Sequence, residues 1–126
     1  MKILHLNVRL SEGGAARIAL DIHKQSLAAG IESRFGYGWG EKGGRSSVEP
    51  SIAGAFQVGV RAQVAANIIV HRVWGGDFFK PVGISKNKLL ESIRWADVVH
   101  LHAIHSFFLP FSWLVEQLIS LGKPVV

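Results

Sequence analysis

The chain of 126 residues has no cysteine, one methionine, one tyrosine and four prolines. Without cysteine there is no disulfide scaffold, no thiolate zinc site and no cysteine nucleophile. Runs of one charge are missing as well. The 14 Lys+Arg and 9 Asp+Glu give a net charge of +5, yet the basic residues stand singly, and no run of four occurs. A nucleic-acid reader shows a basic stripe with interleaved aromatics; Lys42 to Arg45 beside Tyr37 and Trp39 holds two cations only, so no nucleic-acid partner is expected. A diffuse positive field suits phosphorylated or sugar-diphosphate ligands and an anionic membrane surface. Long apolar runs are also lacking at the start of the chain. Ile3 to Leu6 is interrupted by His5 and stopped by Asn7, too short for a signal peptide or a membrane span, and the chain reads as cytoplasmic.

What is present is apolar: 48% hydrophobic residues, four Trp and seven Phe, against 18% charged. That excludes a disordered chain. A domain of this length buries about two-thirds of the surface its unfolded chain exposes, enough to fold without a staple. Lys2 to Asn7, then Gly13-Gly14, then an apolar periodicity from Ala15 to Ala29 closed by Gly30, read as strand, glycine turn and helix. Ala15, Ala19, Ile22 and Ser26 are expected on the packed face of that helix. A second strand is expected from Glu32 to Tyr37 or Trp39, with Phe35, Tyr37 and Trp39 on one face and Gly36, Gly38 and Gly40 leaving the other bare, either for a ligand or another chain to approach or as an edge strand fraying into a loop. Glu41 to Pro50 reads as loop, Ala53 to Trp74 as one long helix, and Ser85 or Asn87 to Ala96 as a shorter one. Asp97 to His102 is apolar enough for a central parallel strand. A helix over Phe111 to Leu121 and a strand opening at Val125 complete the order. Strands separated by crossover helices imply an α/β fold, a Rossmann-like doubly wound parallel sheet that stops after the start of its fourth strand.

Ligands in such sheets sit beyond the carboxyl ends of the strands. The first loop there carries Gly13 and Gly14, which expose backbone N–H groups at a helix N-terminus and favour an anion. The spacing is neither G-x-G-x-x-G nor the phosphate-binding G-x-x-x-x-G-K, which disfavours a dinucleotide oxidoreductase. Arg9 and Arg17 flank this turn. The second group is His100, His102 and His105. His100 and His102 share a strand face, and His105 lies past the strand end. The pattern approaches the H-x-H-x-D-H of metallo-β-lactamase-type hydrolases, but Ile104 stands where that motif has Asp, so no metal is assigned. His100 is expected to be an interior residue, with His102 and His105 facing the cleft and binding a sugar hydroxyl or phosphate. Phe107, Phe108, Leu109, Phe111 and Trp113 around Pro110 suggest an acceptor groove, a membrane-facing lip, a subunit interface or core.

Taken together, Asn7 to Lys24 with its double glycine, Phe35-Gly-Tyr-Gly38, Ala96-Asp-Val-Val-His-Leu-His-Ala-Ile-His105 and Lys123-Pro-Val-Val126 resemble the N-terminal half of family 4 glycosyltransferases, with the pattern of colanic-acid-type exopolysaccharide transferases. The resemblance covers essentially the whole chain. It implies a GT-B architecture of two Rossmann-like domains, of which residues 1–126 are the partial acceptor-side domain and the nucleotide-sugar domain is absent. It implies retaining transfer from a nucleotide-sugar donor to a glycan or lipid-linked acceptor in polysaccharide biosynthesis, with no obligatory metal or further cofactor. By that resemblance Gly13, Gly14, His102 and His105 line the substrate cleft; Arg9 and Arg17, from their place beside the glycine turn, are the cations expected to meet a phosphate there. A retaining transfer needs the donor phosphate clamped and the anomeric carbon held near the acceptor; half a cleft does neither, so the chain alone is expected to be inactive. Two other readings stand beside it: a stand-alone interaction module that uses the apolar surface of Phe56 to Trp74 and Phe107 to Trp113 to dimerise or to bind a partner, and a zinc hydrolase built on His100, His102 and His105; a homodimer and peripheral membrane contact are the further partners expected.

Overall fold

The computed structural model describes residues 1–39, 52–58, 84–104 and 108–126, together with 65, 68, 69, 72, 73 and 75 singly. The first strand, β1 (Lys2–Arg9), is buried on both faces from Leu4 to Val8. Leu4, Leu6 and Val8 point to one side of the sheet and His5 and Asn7 to the other, as the period of two requires. Burial on both faces fits a central strand, and β1 is central: β2 (Glu32–Trp39) pairs with it on one side and β4 (Val98–Leu101) on the other. A short β3 (Ala55–Gln57) pairs with β2, giving the all-parallel order β3-β2-β1-β4. Val125 bridges Val99 in parallel and so takes a fifth position beyond β4. The strand order descends 3-2-1 and then jumps to 4, which puts the topological switch point between β1 and β4.

Helices α2 (Ile84–Trp95) and α3 (Phe111–Ser120) cover the Leu4–Leu6 face. Leu89 and Ile93 from α2, and Leu114 and Leu118 from α3, join Leu4, Leu6, Val8 and Val99 in the larger core. Each fully buried Leu or Ile contributes about 1.5–3 kcal/mol relative to exposure. Lys123 closes the end of α2: its Nζ donates to the carbonyls of Arg94 at 2.9 Å and Ala96 at 2.6 Å, satisfying groups the helix cannot satisfy itself. Arg34 ties β2 to the same helix, stacked 4.3 Å above the Trp95 ring and donating to Ser92 Oγ at 3.1 Å.

Helix α1 (Gly14–Ala28) covers the other face over β1 and β2. Its buried residues are Ala16, Ala19, Leu20, His23 and Ser26. This corrects the expected face in part: Ala19 and Ser26 are buried as expected, but Ala15 is exposed. The buried stripe runs instead through Ala16, Ala19, Leu20 and His23, with Leu20 and His23 packed on Phe35.

Two further expectations change. The long helix over Ala53 to Trp74 begins too early. Ala55–Gln57 is β3, with Phe56 and Val58 buried in the larger core; three residues alternating in and out are too few to betray a period of two against a helical pattern. Ala65, Ile68, Ile69, Arg72 and Val73 are helical, and the remainder of that stretch lies outside the described residues. The added strand also moves the strand at Val125 from fourth to fifth place. The bare face of β2 at Gly36 and Gly38 is internal, neither open to a ligand nor frayed. A Cβ on Gly38 would come within 2.5–2.6 Å of three Phe108 carbons, and one on Gly36 within 2.7 Å of Leu6. The glycines are there so that the core can lie directly on the strand.

Candidate functional site

At the carboxyl end of β1 the chain turns through Gly13 into α1. Gly13 has φ 88° and ψ 165°, a region essentially closed to residues with a side chain. It caps α1 without a side-chain hydrogen bond, and no acidic residue lies in the first helical turn. Added Cβ atoms on Gly13 or Gly14 would meet nothing within 4 Å. The glycines therefore do not serve close helix–strand packing; they leave a helix N-terminus bare and approachable, the arrangement that suits an anion. Arg9 is exposed and paired with Glu12 across this turn, while Arg17 is exposed on α1, its N–H donating to the Gly13 carbonyl at 3.1 Å.

Asn7 connects this turn to the loop after β4. It is 0% exposed. Its Nδ2 donates to the Arg9 carbonyl at 2.7 Å and its Oδ1 accepts from Ala103 N–H at 3.0 Å; Val8 N–H also donates to the Ala103 carbonyl at 2.6 Å. One buried amide thus fixes two strand ends on either side of the switch point. Asn7→Ala is expected to cost about 1–3 kcal/mol, because a backbone donor and an acceptor lose their partner in the interior. Urea unfolding measures it, and a variant as stable as the parent refutes the clamp.

On the α1 face, next to Asn7, lie four histidines. His5 and His100 are register partners on β1 and β4, and His102 follows on the face of His100. His5 Nδ1 lies 3.1 Å from His102 Nε2, the His100 and His102 ring centroids are 4.0 Å apart, and the His5 and His100 centroids 5.4 Å. His23 meets His5 edge-on at 5.9 Å. The tautomer of His23 follows from its partners. Nε2 lies 2.9 Å from the Ala53 carbonyl, which can only accept, so Nε2 carries the proton and Nδ1 accepts from the Ser33 hydroxyl at 2.6 Å. Burial holds the rings of His5, His23 and His102 toward neutrality. The His5 pKa is lowered to about 3, by desolvation first and then by His102, His100 and His23. That of His102 is lowered to about 4 by desolvation and His100. That of His23 is lowered by desolvation, against the raising effect of the Ala53 carbonyl.

The structure brings Gly13, Gly14, Arg9 and Arg17 together at the β1–α1 turn. His102 lies at the end of β4, its N–H donating to the Leu6 carbonyl at 3.0 Å, and its ring is joined to His5 rather than standing alone. His105, like most of the loop from Trp39 to Arg45, lies outside the described residues. His5 and Asn7 were not singled out by sequence. The alternation Leu4-His5-Leu6-Asn7 places both on the less apolar face, but only the strand register shows what they meet. Of the aromatic cluster, Phe108, Leu109 and Trp113 are core residues and Phe111 is half exposed. Among the described residues no helix is long and apolar enough to cross a membrane.

The chain is 41% identical over 120 residues to the protein named "Putative colanic acid biosynthesis glycosyl transferase WcaC" of Escherichia coli (strain K12). The match takes in 92% of this chain and 28% of that protein, so the chain spans less than a third of its relative's length. No profile of a known protein family matches the chain, and no solved structure matches it. The resemblance read from the double-glycine turn and the histidine-bearing strand is therefore met by a relative that carries a glycosyl transferase name.

Proposed function

We propose that this chain is the acceptor-side Rossmann-like domain of a GT-B glycosyltransferase in polysaccharide biosynthesis, working with a nucleotide-sugar domain that these residues do not contain. The identity to the E. coli relative over 92% of the chain carries the reading. The parallel sheet with its switch point between β1 and β4, and the uncapped glycine turn at that point, are consistent with it. In this reading Gly13 and Gly14 present backbone N–H groups toward the donor diphosphate across the cleft, Arg9 and Arg17 add positive charge at its rim, and His102 and His105 face the acceptor. Donor and acceptor are a nucleotide sugar and a glycan or lipid-linked oligosaccharide. The protein works in the cytoplasm, against the inner face of the membrane where a lipid-linked acceptor lies.

Replacing the matching segment of the E. coli relative by this chain tests the proposal. The hybrid is expected to release nucleoside diphosphate from a nucleotide sugar in the presence of membrane-borne acceptor, whereas the 126 residues alone release none. Turnover by the isolated chain would refute the division of labour, and a folded but inactive hybrid would refute the acceptor-side role. Self-association is a second part of the proposal. Phe111, Ile119 and Val125, exposed by 51%, 75% and 48%, rim an apolar groove of about 300 Å³ between α3 and the sheet edge. Light scattering on the same preparation reads it, and a monomer at every concentration removes it.

A further inference from the structure

The sequence alone points away from a metal, because Ile104 interrupts the hydrolase pattern and His105 would have to complete the set. The fold assembles a different trio. His5 comes from β1, and His100 and His102 come from β4, with one ring nitrogen from each lying within 4.8 Å of the others. We infer that His5, His100 and His102 form a binding site for a transition-metal dication of the zinc class, pinning β1 to β4 at the switch point.

Three observations carry this. Two imidazole nitrogens bound to zinc at about 2.1 Å in tetrahedral geometry lie about 3.4 Å apart, and His5 Nδ1 and His102 Nε2 face each other at 3.1 Å. His5 is 1% exposed, so its ring is held in the sheet interior with Nδ1 toward His102. Among the described residues the site is uncovered on one side, since α1 packs over β1 and β2 while His100 and His102 are only half-buried. The trio contains no carboxylate, so the donor set selects zinc, nickel, copper or cobalt over magnesium, calcium or manganese. Three ligands leave a fourth position for water or an anion.

The test is titration of the chelator-stripped chain with Co²⁺ and then Zn²⁺. One equivalent of Co²⁺ is expected to give the visible absorption of a tetrahedral nitrogen site, Zn²⁺ to displace it, and one equivalent of Zn²⁺ to raise the melting temperature. His100→Ala and His102→Ala, at half-exposed positions, are each expected to weaken binding by more than the roughly 10–100-fold that loss of an outer-shell partner costs. Should either alanine variant fail to fold by circular dichroism, the corresponding glutamine variant replaces it. No stoichiometric uptake overturns the site, and so does uptake that survives removal of His100 or His102. Neither readout involves glycosyl transfer, so failure here leaves the proposed function standing.

Discussion

Gly38→Val is expected to destabilise the protein by about 3 kcal/mol or more, seen as a lower urea midpoint and a lower melting temperature. The size follows from what already occupies the space. Phe108 is 1% exposed, and its Cβ, Cγ and Cδ2 lie so close over Gly38 that even a bare Cβ there would sit 2.5–2.6 Å from them. Inserting atoms into a packed core costs about 1–3 kcal/mol or more, because side chains leave their rotamers or the backbone shifts. Here neither partner gives way easily: β2 is held by β1 and β3, and Phe108 is wedged against the core beside Leu109 and Trp113. A domain of this size has a total stability of about 5–15 kcal/mol, so the loss is a large fraction of it. The pair is separable. In a Phe108→Ala background the same Gly38 substitution should cost at least about 1 kcal/mol less, since contacting residues couple by roughly that amount. A Gly38→Val protein that melts with the parent would show that the ring does not rest on the strand.

Gly38 also marks where sequence reasoning succeeds and where it stops. The alternation of Phe35 and Tyr37 with glycines establishes a strand with one bare face, and both aromatics are indeed buried against α1. What lies on the bare face is a long-range matter. Phe108 is 70 positions away, and nothing local in either segment announces the other. The same holds at the histidines. His100 and His102 are read correctly as sharing a face, because two residues apart on a strand is a local fact. Their partner His5 enters through the β1–β4 register, which pairs positions 95 apart. Strands β1, β2 and β4 and helices α1, α2 and α3 were legible because each carries its own periodicity and its own punctuation, Gly13 before α1 and Gly122 after α3. Strand β3 was not. Its three residues pair only with β2, so the sheet itself, and not a local pattern, defines it.

Acid is expected to unfold the protein earlier than its carboxylates alone would. His5, His23 and His102 are held neutral in the folded state, with His5 lowered to about 3 and His102 to about 4, while in the unfolded chain each takes a proton near the ordinary histidine value of about 6.5. Below 6.5 the unfolded state therefore binds more protons than the folded one, and the free energy of unfolding falls as pH falls. The window opens at about 6.5. It closes for His102 at about 4 and for His5 at about 3, where the folded rings finally protonate. Within it a fully buried ring costs about 1.4 kcal/mol per pH unit, so His5 alone removes about 2 kcal/mol between pH 6.5 and 5. His102 is half exposed and water screens it, so its share is smaller; His23 acts in the same direction. Urea unfolding at pH 7 and pH 5 in the presence of a chelator measures the slope. His5→Leu, whose side chain suits the interior and cannot titrate, isolates the ring: its loss between the two pH values should be smaller by about 2 kcal/mol, whatever its stability at pH 7. An equal loss in both proteins would mean that His5 takes up its proton in the folded state as readily as in the unfolded one, and that its burial between β2 and β4 imposes no electrostatic cost.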